Sequence, residues 1–253
     1  MGVVPSSQSP SYPYRMRLPP VSVLCLHGYS QSSSVLQSHM RRVTERLSHR
    51  ARFEFVDGPF TVPQMMDPSK TGCSWWIPKR DGAGDWEYEG VDAALETLAA
   101  ANRAETARHG HGFAGLLGFS QGGALASLVL ALREHTEQSP LPELRFAVFA
   151  GAFAYRAAKP SYAHLLDCSD GQSSLHLPTL HFVGERDTII TSARSAQLEA
   201  LCSEDARVLC RHSGGHVVPA GTAALEAFDS FLVSQQRTAL STLAAQWSNG
   251  SYC

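Results

Sequence analysis

The folds open to this chain are limited most by an alternation that begins at Val21, in which short apolar runs take turns with segments of helical periodicity. Val21–His27, Arg52–Val56, Ala114–Phe119, Phe146–Phe149, Thr179–Val183 and Arg207–Arg211 have the length of strands. Between them, Val35, Leu36, Met40, Val43 and Leu47 recur at helical spacing. So do Val91, Ala94, Leu95, Leu98 and Ala101, and again Ala124, Leu125, Leu128, Val129 and Leu132. Two further helices are expected around Ala193–Leu201 and Ala223–Leu232. Strands apolar on both faces and alternating with helices predict an α/β fold, a mostly parallel sheet of about six strands with helices on both faces. No shift in composition divides the 253 residues, so a single domain is expected over 21–234.

Three segments stand outside the repeat. Residues 1–20 are rich in Pro and Ser, lack the apolar stretch of a secretion signal, and read as a disordered arm. Its first residues, Met1-Gly2-Val3-Val4-Pro5-Ser6, match the pattern for N-myristoylation of Gly2. A single acyl chain supported only by Arg15 and Arg17 would anchor weakly. Residues 58–90 form a long connection carrying Phe60, Met65, Met66, Trp75, Trp76 and Trp86, more apolar surface than a solvated loop tolerates, and read as a lid-like loop. Residues 235–253 carry a weak apolar stripe of Ala239, Leu240, Leu243, Ala244 and Trp247 and read as a helical extension packed on the body or on a second subunit.

Charge narrows the classes of partner. The balance of 21 Lys and Arg against 23 Asp and Glu gives −2, no global reason to bind nucleic acid. No run approaches the roughly 18 apolar residues of a membrane span. The six cysteines show no metal-ligand spacing, so no metal is expected. Their scatter suits a reducing, cytoplasmic setting, with Cys25 and Cys210 acting as small hydrophobes.

The chemistry concentrates in Gly118-Phe119-Ser120-Gln121-Gly122, a G-x-S-x-G pattern at the junction of an apolar strand and an amphipathic helix. Such a junction is a nucleophile elbow, and it presents Ser120 at the carboxyl end of the sheet over a helix N-terminus. A serine hydroxyl needs a base, and in this architecture acid and then histidine follow the serine in the chain. His212 and His216 flank Ser213-Gly214-Gly215 just beyond the last strand. His216, past two glycines that let the loop fold over the sheet edge, is the expected base, with His212 as the alternative. Asp187, in Gly184-Glu185-Arg186-Asp187 after the preceding strand, is the expected acid, leaving room for one helix and one strand before His216. Glu185 is instead read as pairing with Arg186 in solvent. The oxyanion donors expected are the backbone N–H groups of Gln121 and of Tyr29, the latter in His27-Gly28-Tyr29-Ser30-Gln31 after the first strand. His27 itself reads as structural.

Taken together, Leu-His-Gly-Tyr-x-Gln (26–31), Leu-Gly-Phe-Ser-Gln-Gly-Gly (117–123), Gly-x-x-Asp (184–187) and His-Ser-Gly-Gly-His-x-Val-Pro (212–219) resemble the FSH family of serine hydrolases. The resemblance covers about 21–232 and implies a compact α/β-hydrolase with its triad on Ser120, Asp187 and His216. Thr188-Ile189-Ile190 departs from the Val-Pro ending common in the family. The Trp75-Trp76 pair resembles a tryptophan pair in the same loop of a family member, which implies an acyl-chain pocket. The activity implied is hydrolysis of a small-molecule carboxylic ester, medium to long acyl chains favoured, with no cofactor. Acyl-protein thioesterases, which also carry Gly-Phe-Ser-Gln-Gly-Gly, are the second resemblance and imply a thioester substrate. A ligand-binding protein on a hydrolase fold is the alternative of another class.

Overall fold

The computed structural model describes residues 19–80, 86–156, 162, 164–166 and 173–249. From the N-terminal side the chain forms β1 (Val21–Leu26), α1 (Ser33–His39), α2 (Arg41–Leu47) and β2 (Ala51–Val56). Two hairpins follow, β3 (Phe60–Pro63) with β4 (Thr71–Ser74) and β5 (Ile77–Arg80) with β6 (Trp86–Glu89). The remainder is α3 (Val91–His109), β7 (Gly115–Phe119), α4 (Gln121–His135), β8 (Phe146–Ala150), β9 (Thr179–Gly184), α5 (Ser192–Leu201), β10 (Arg207–His212) and α6 (Thr222–Asn249).

The six expected apolar runs pair in one sheet in the order β2-β1-β7-β8-β9-β10, every pair parallel. Alternate residues of each strand enter opposite layers, as the two-residue side-chain period requires. Leu24, Leu26, Leu116 and Phe149 pack with α3, α4 and α5, whereas Val23, Cys25, Leu117, Phe119 and Val148 pack with α1, α2 and α6. α4 is buried from Gln121 to Leu132, which accounts for its lack of a polar stripe. Strand order reverses between β1 and β7, and at such a switch point the crevice beyond the carboxyl ends of the strands is open to a ligand.

Three expectations about local structure change. The helix read across Val35–Leu47 is two helices, broken at Met40 (φ −88°, ψ 1°), although Leu36, Met40, Val43 and Leu47 all enter the same core as the spacing required. Residues 58–90, read as a loop, contain two hairpins of four-residue strands, too short for hydrophobic alternation to register. The tail is not a separate extension from 235, because α6 runs unbroken to Asn249 with no Gly or Pro to stop it. Gln236 within it donates through Nε2 to the Pro19 and Arg50 carbonyls, tying the helix to the entry of β1 and β2. Residues 1–18, with the Gly2 pattern, lie outside the described residues.

Candidate active site

Ser120 joins β7 to α4 with φ 53° and ψ −116°, a left-handed conformation costing a side chain of order 1–3 kcal/mol. Neighbouring bonds hold it there. Its N–H donates to Ala150 O in β8 (3.1 Å), and its carbonyl accepts from Gly123 (2.9 Å) and Ala124 (3.2 Å). The turn is tight enough that a Cβ on Gly122 would lie 2.4 Å from the Leu26 carbonyl oxygen, so the glycine after the serine is a steric requirement. α4 begins at Gln121, and the positive end of its dipole lies at the serine.

Asp187 and His216 meet. The Nδ1 of His216 is 2.7 Å from Oδ2 of Asp187, and the side chains are 14% and 1% exposed. Oδ1 of the same carboxylate accepts from the Ile189 (2.9 Å) and Ile190 (2.8 Å) amides. With the carboxylate accepting, Nδ1 carries the proton and Nε2 keeps its lone pair. The dyad sits on Gly151, just past β8, where φ is 49°. A Cβ there would come within 2.9 Å of His216 Nδ1 and 3.2 Å of Asp187 Oδ2. Gly151 belongs to none of the motifs, and nothing in the sequence marks it. The His216 ring lies 4.7 Å from that of Phe119, the residue before Ser120. No hydrogen bond links Ser120 to His216 among the described residues.

The loops bearing Asp187 and His216 are joined by main chain. The Glu185 N–H donates to His212 O (2.9 Å) and the Arg186 N–H to Gly214 O (3.1 Å). His212, the alternative base, is engaged in its own loop, where Nδ1 accepts the Gly214 N–H at 3.2 Å.

On the other side of Ser120 the turn after β1 closes through Gly28 N–H to Gln31 Oε1 (3.1 Å) and Gln31 N–H to Gly28 O (3.3 Å). A Cβ on Gly28 would lie 3.2 Å from Ser120 Cβ, so this turn abuts the serine. Among the described residues neither the Tyr29 nor the Gln121 backbone N–H donates a hydrogen bond.

The hairpin segment is held by side chains. Gln121 Oε1 accepts from the Trp75 amide (3.1 Å) and the Ser74 hydroxyl (3.2 Å), and its Nε2 donates to Trp76 O (3.2 Å). The Trp75 indole donates to His27 O (2.8 Å) and stacks on the His27 ring at 4.9 Å. His27 accepts the Gly58 N–H at Nε2 (2.9 Å) and donates from Nδ1 to Gly28 O (2.8 Å). Burial depresses its basicity, so the neutral ring spans two loops. Trp76 stacks on Tyr88 at 4.8 Å and meets Tyr155 edge-on at 5.8 Å. Trp75 and Trp76 are 0% and 2% exposed and belong to the core, not to the wall of an open acyl pocket. The Trp75 indole N–H and the large apolar area of both rings are better satisfied there than in a solvated lid. The structural role of Gln121 was hidden by its place in the motif, where the backbone draws the attention.

One described trio, His27, Asp57 and Cys73, brings ligand-type atoms within 4.8 Å of one another. Both His27 ring nitrogens are already engaged, so the trio is not an open metal site.

The family model described as Serine hydrolase (FSH1) matches residues 16–228. The chain belongs to that family. Among FSH relatives, Esterase OVCA2 of Mus musculus is 33% identical over 83% of this chain and 94% of its own length. Esterase OVCA2 of Homo sapiens is 33% identical over 84% of this chain and 96% of its own. A Schizosaccharomyces pombe protein named Dihydrofolate reductase is also 33% identical over 79% of this chain, which spans only 44% of that protein's length. The Bacillus cereus carboxylesterase structure superimposes with a TM-score of 0.57 at 16% identity, covering 86% of this chain and 90% of that one. Zea mays acyl-protein thioesterase 2 does so with a TM-score of 0.56 at 16% identity, covering 86% and 94%. At those identities the likeness is one of fold, the α/β-hydrolase fold. This FSH-family chain is a serine hydrolase. Among the described residues no helix is long and apolar enough to cross a membrane.

Proposed function

We propose that this FSH-family hydrolase cleaves carboxylic esters of medium to long acyl chain through an acyl-Ser120 intermediate, with His216 as base and Asp187 as its orienting acid. The observation that carries this reading is the seating of the Asp187–His216 pair on Gly151, with the imidazole against Phe119, the residue before Ser120. His216 Nε2 takes the Ser120 proton as the hydroxyl oxygen attacks the ester carbonyl. Asp187 stabilises the resulting imidazolium, and His216 then returns the proton to the departing alcohol. Water repeats the cycle to release the acid. The Ser120–His216 hydrogen bond forms when substrate fills the site, since catalytic hydrogen bonds commonly tighten only in the complex. The unengaged backbone N–H groups of Tyr29 and Gln121 supply the oxyanion donors, each worth about 10²–10³ in kcat.

Met65, Ile189 and Val217 are 67%, 55% and 49% exposed. The Met65 amide donates to Ser30 Oγ (3.3 Å), the Ile189 amide binds Asp187, and Val217 follows His216. These three side chains take the acyl chain in this reading, while Trp75 and Trp76 brace the segment behind them. Each methylene buried is worth about 0.8 kcal/mol, a rise of up to about fourfold in kcat/KM. The test is labelling of Ser120 by a fluorophosphonate, followed by p-nitrophenyl esters from C2 to C16 and matched thioesters. Labelling with kcat/KM climbing along the series supports the reading. A labelled protein that turns over no ester would instead be a ligand-binding protein on a hydrolase fold.

A further inference from the structure

His212 ends β10, four residues before the proposed base, and its ring turns back into the loop it starts. Nδ1 accepts the Gly214 N–H at 3.2 Å, and a Cβ on Gly214 would lie 2.8 Å from that same nitrogen, so ring and turn are in close contact. Gly214 in turn accepts the Arg186 N–H, and the His212 carbonyl accepts that of Glu185. A chain of contacts therefore runs from the His212 ring through Gly214 and Arg186 to Asp187. An acceptor at Nδ1 requires the neutral ring with its proton on Nε2, an atom that is buried and unpartnered among the described residues. An unsatisfied buried donor is destabilising, so an apolar side chain would fill this position at lower cost.

We infer that His212 is a positioning residue, whose neutral imidazole closes the 212–216 turn so that His216 stays on Asp187, and whose protonation opens that turn. The cation carries N–H at both nitrogens, so the Gly214 N–H would face another donor and the bond would be lost. The charged groups around the ring are few. Asp187 and Glu185 on the facing loop favour the cation, but burial opposes it more strongly, and the ring is less basic than an ordinary histidine. Arg186 donates to Ser213 O, Arg211 beside it in β10 reaches Glu199 at 3.5 Å, and His216 is occupied by Asp187. As pH falls, release of the turn thus takes the base out of its place on Asp187.

This inference rests on His216 being the base, and the experiment separates the two. The pH dependence of kcat and KM on p-nitrophenyl butyrate is measured for the wild type, His212→Ala and His212→Asn, with His216→Ala as reference. His212→Ala should lower kcat about tenfold at pH 8 with KM changed less than about twofold, the signature of a displaced base. His212→Asn, whose amide oxygen takes the place of Nδ1 and does not titrate, should recover kcat to within about threefold. The acid limb of log kcat should be steeper in the wild type than in His212→Asn, by up to about one log unit in total. Wild-type kcat in His212→Ala, or an acid limb of unchanged slope in His212→Asn, overturns the positioning role. Turnover retained by His216→Ala would instead overturn the base assignment itself. His212→Asn keeps the question decidable should His212→Ala fail to fold.

Discussion

Two regions border Ser120, and they are held in opposite ways. On the β8–β10 side, the loops carrying Asp187 and His216 are bonded main chain to main chain, and the carboxylate is oriented by two backbone amides. On the β1 side, the 58–90 segment is fastened by side chains, chiefly Gln121, Trp75 and His27. Backbone bonds survive most substitutions, whereas a side-chain fastening is lost with one residue. The first region should therefore lose activity without losing stability when its reactive groups change, and the second should lose both together.

The sharpest test is Asp187→Asn. Oδ1 of the amide can still accept from Ile189 and Ile190, so the fold should hold while kcat falls by about 10⁴ through the wrong imidazole tautomer. A large drop in melting temperature would break the comparison. Next in size, Trp75→Ala should cost about 3–5 kcal/mol in urea unfolding, because it empties a fully buried site and orphans the His27 carbonyl. Activity should fall with it. Gly151→Ala should lower kcat/KM by about 10²-fold with a modest stability loss, since the added methyl meets the dyad and φ is 49°. Wild-type kinetics would mean that the dyad has slack.

The smallest effect concerns pH. His181, buried in β9 beside the Phe149 ring with Nε2 3.0 Å from Thr179 Oγ1, is pushed down to about 3, chiefly by burial and secondarily by Arg207. Between that value and the ordinary 6.5 the unfolded chain binds the proton and the folded chain does not, so stability falls as pH falls through this window. Its contribution is about 1.4 kcal/mol per pH unit. His181→Leu should flatten the stability–pH slope between pH 6.5 and 5 by about that amount, and His27, also depressed by burial, should keep part of the slope in place. An unchanged slope in His181→Leu would show that the histidine titrates normally.

The central sheet was legible because strands buried on both faces must be apolar throughout, and Val21–Leu26 or Gly115–Phe119 has no other use for such a run. The elbow was legible for a related reason. Gly118 answers to contacts within its own turn, with Gly122 and Gly123, and Gly122 to the end of the strand alongside it, and such constraints leave a mark on residue type. Trp75 and Trp76 show where legibility ended. Their size predicted burial but not against what, and the hydrogen bonds that place them are to Gln121 and His27, far apart in the chain.

What the sequence determined alone is the six strands of the central sheet, the alternation of helices between them and the turn presenting Ser120. Periodicity and steric demand act between near neighbours and are therefore written in composition. What only the tertiary structure decided is how those parts are held. Gly151 beneath the imidazole, His212 turned into its own loop and the hairpins fastened through Gln121 all depend on distances between strands. Those distances are set by side-chain packing across the whole sheet, and no single stretch of residues encodes them.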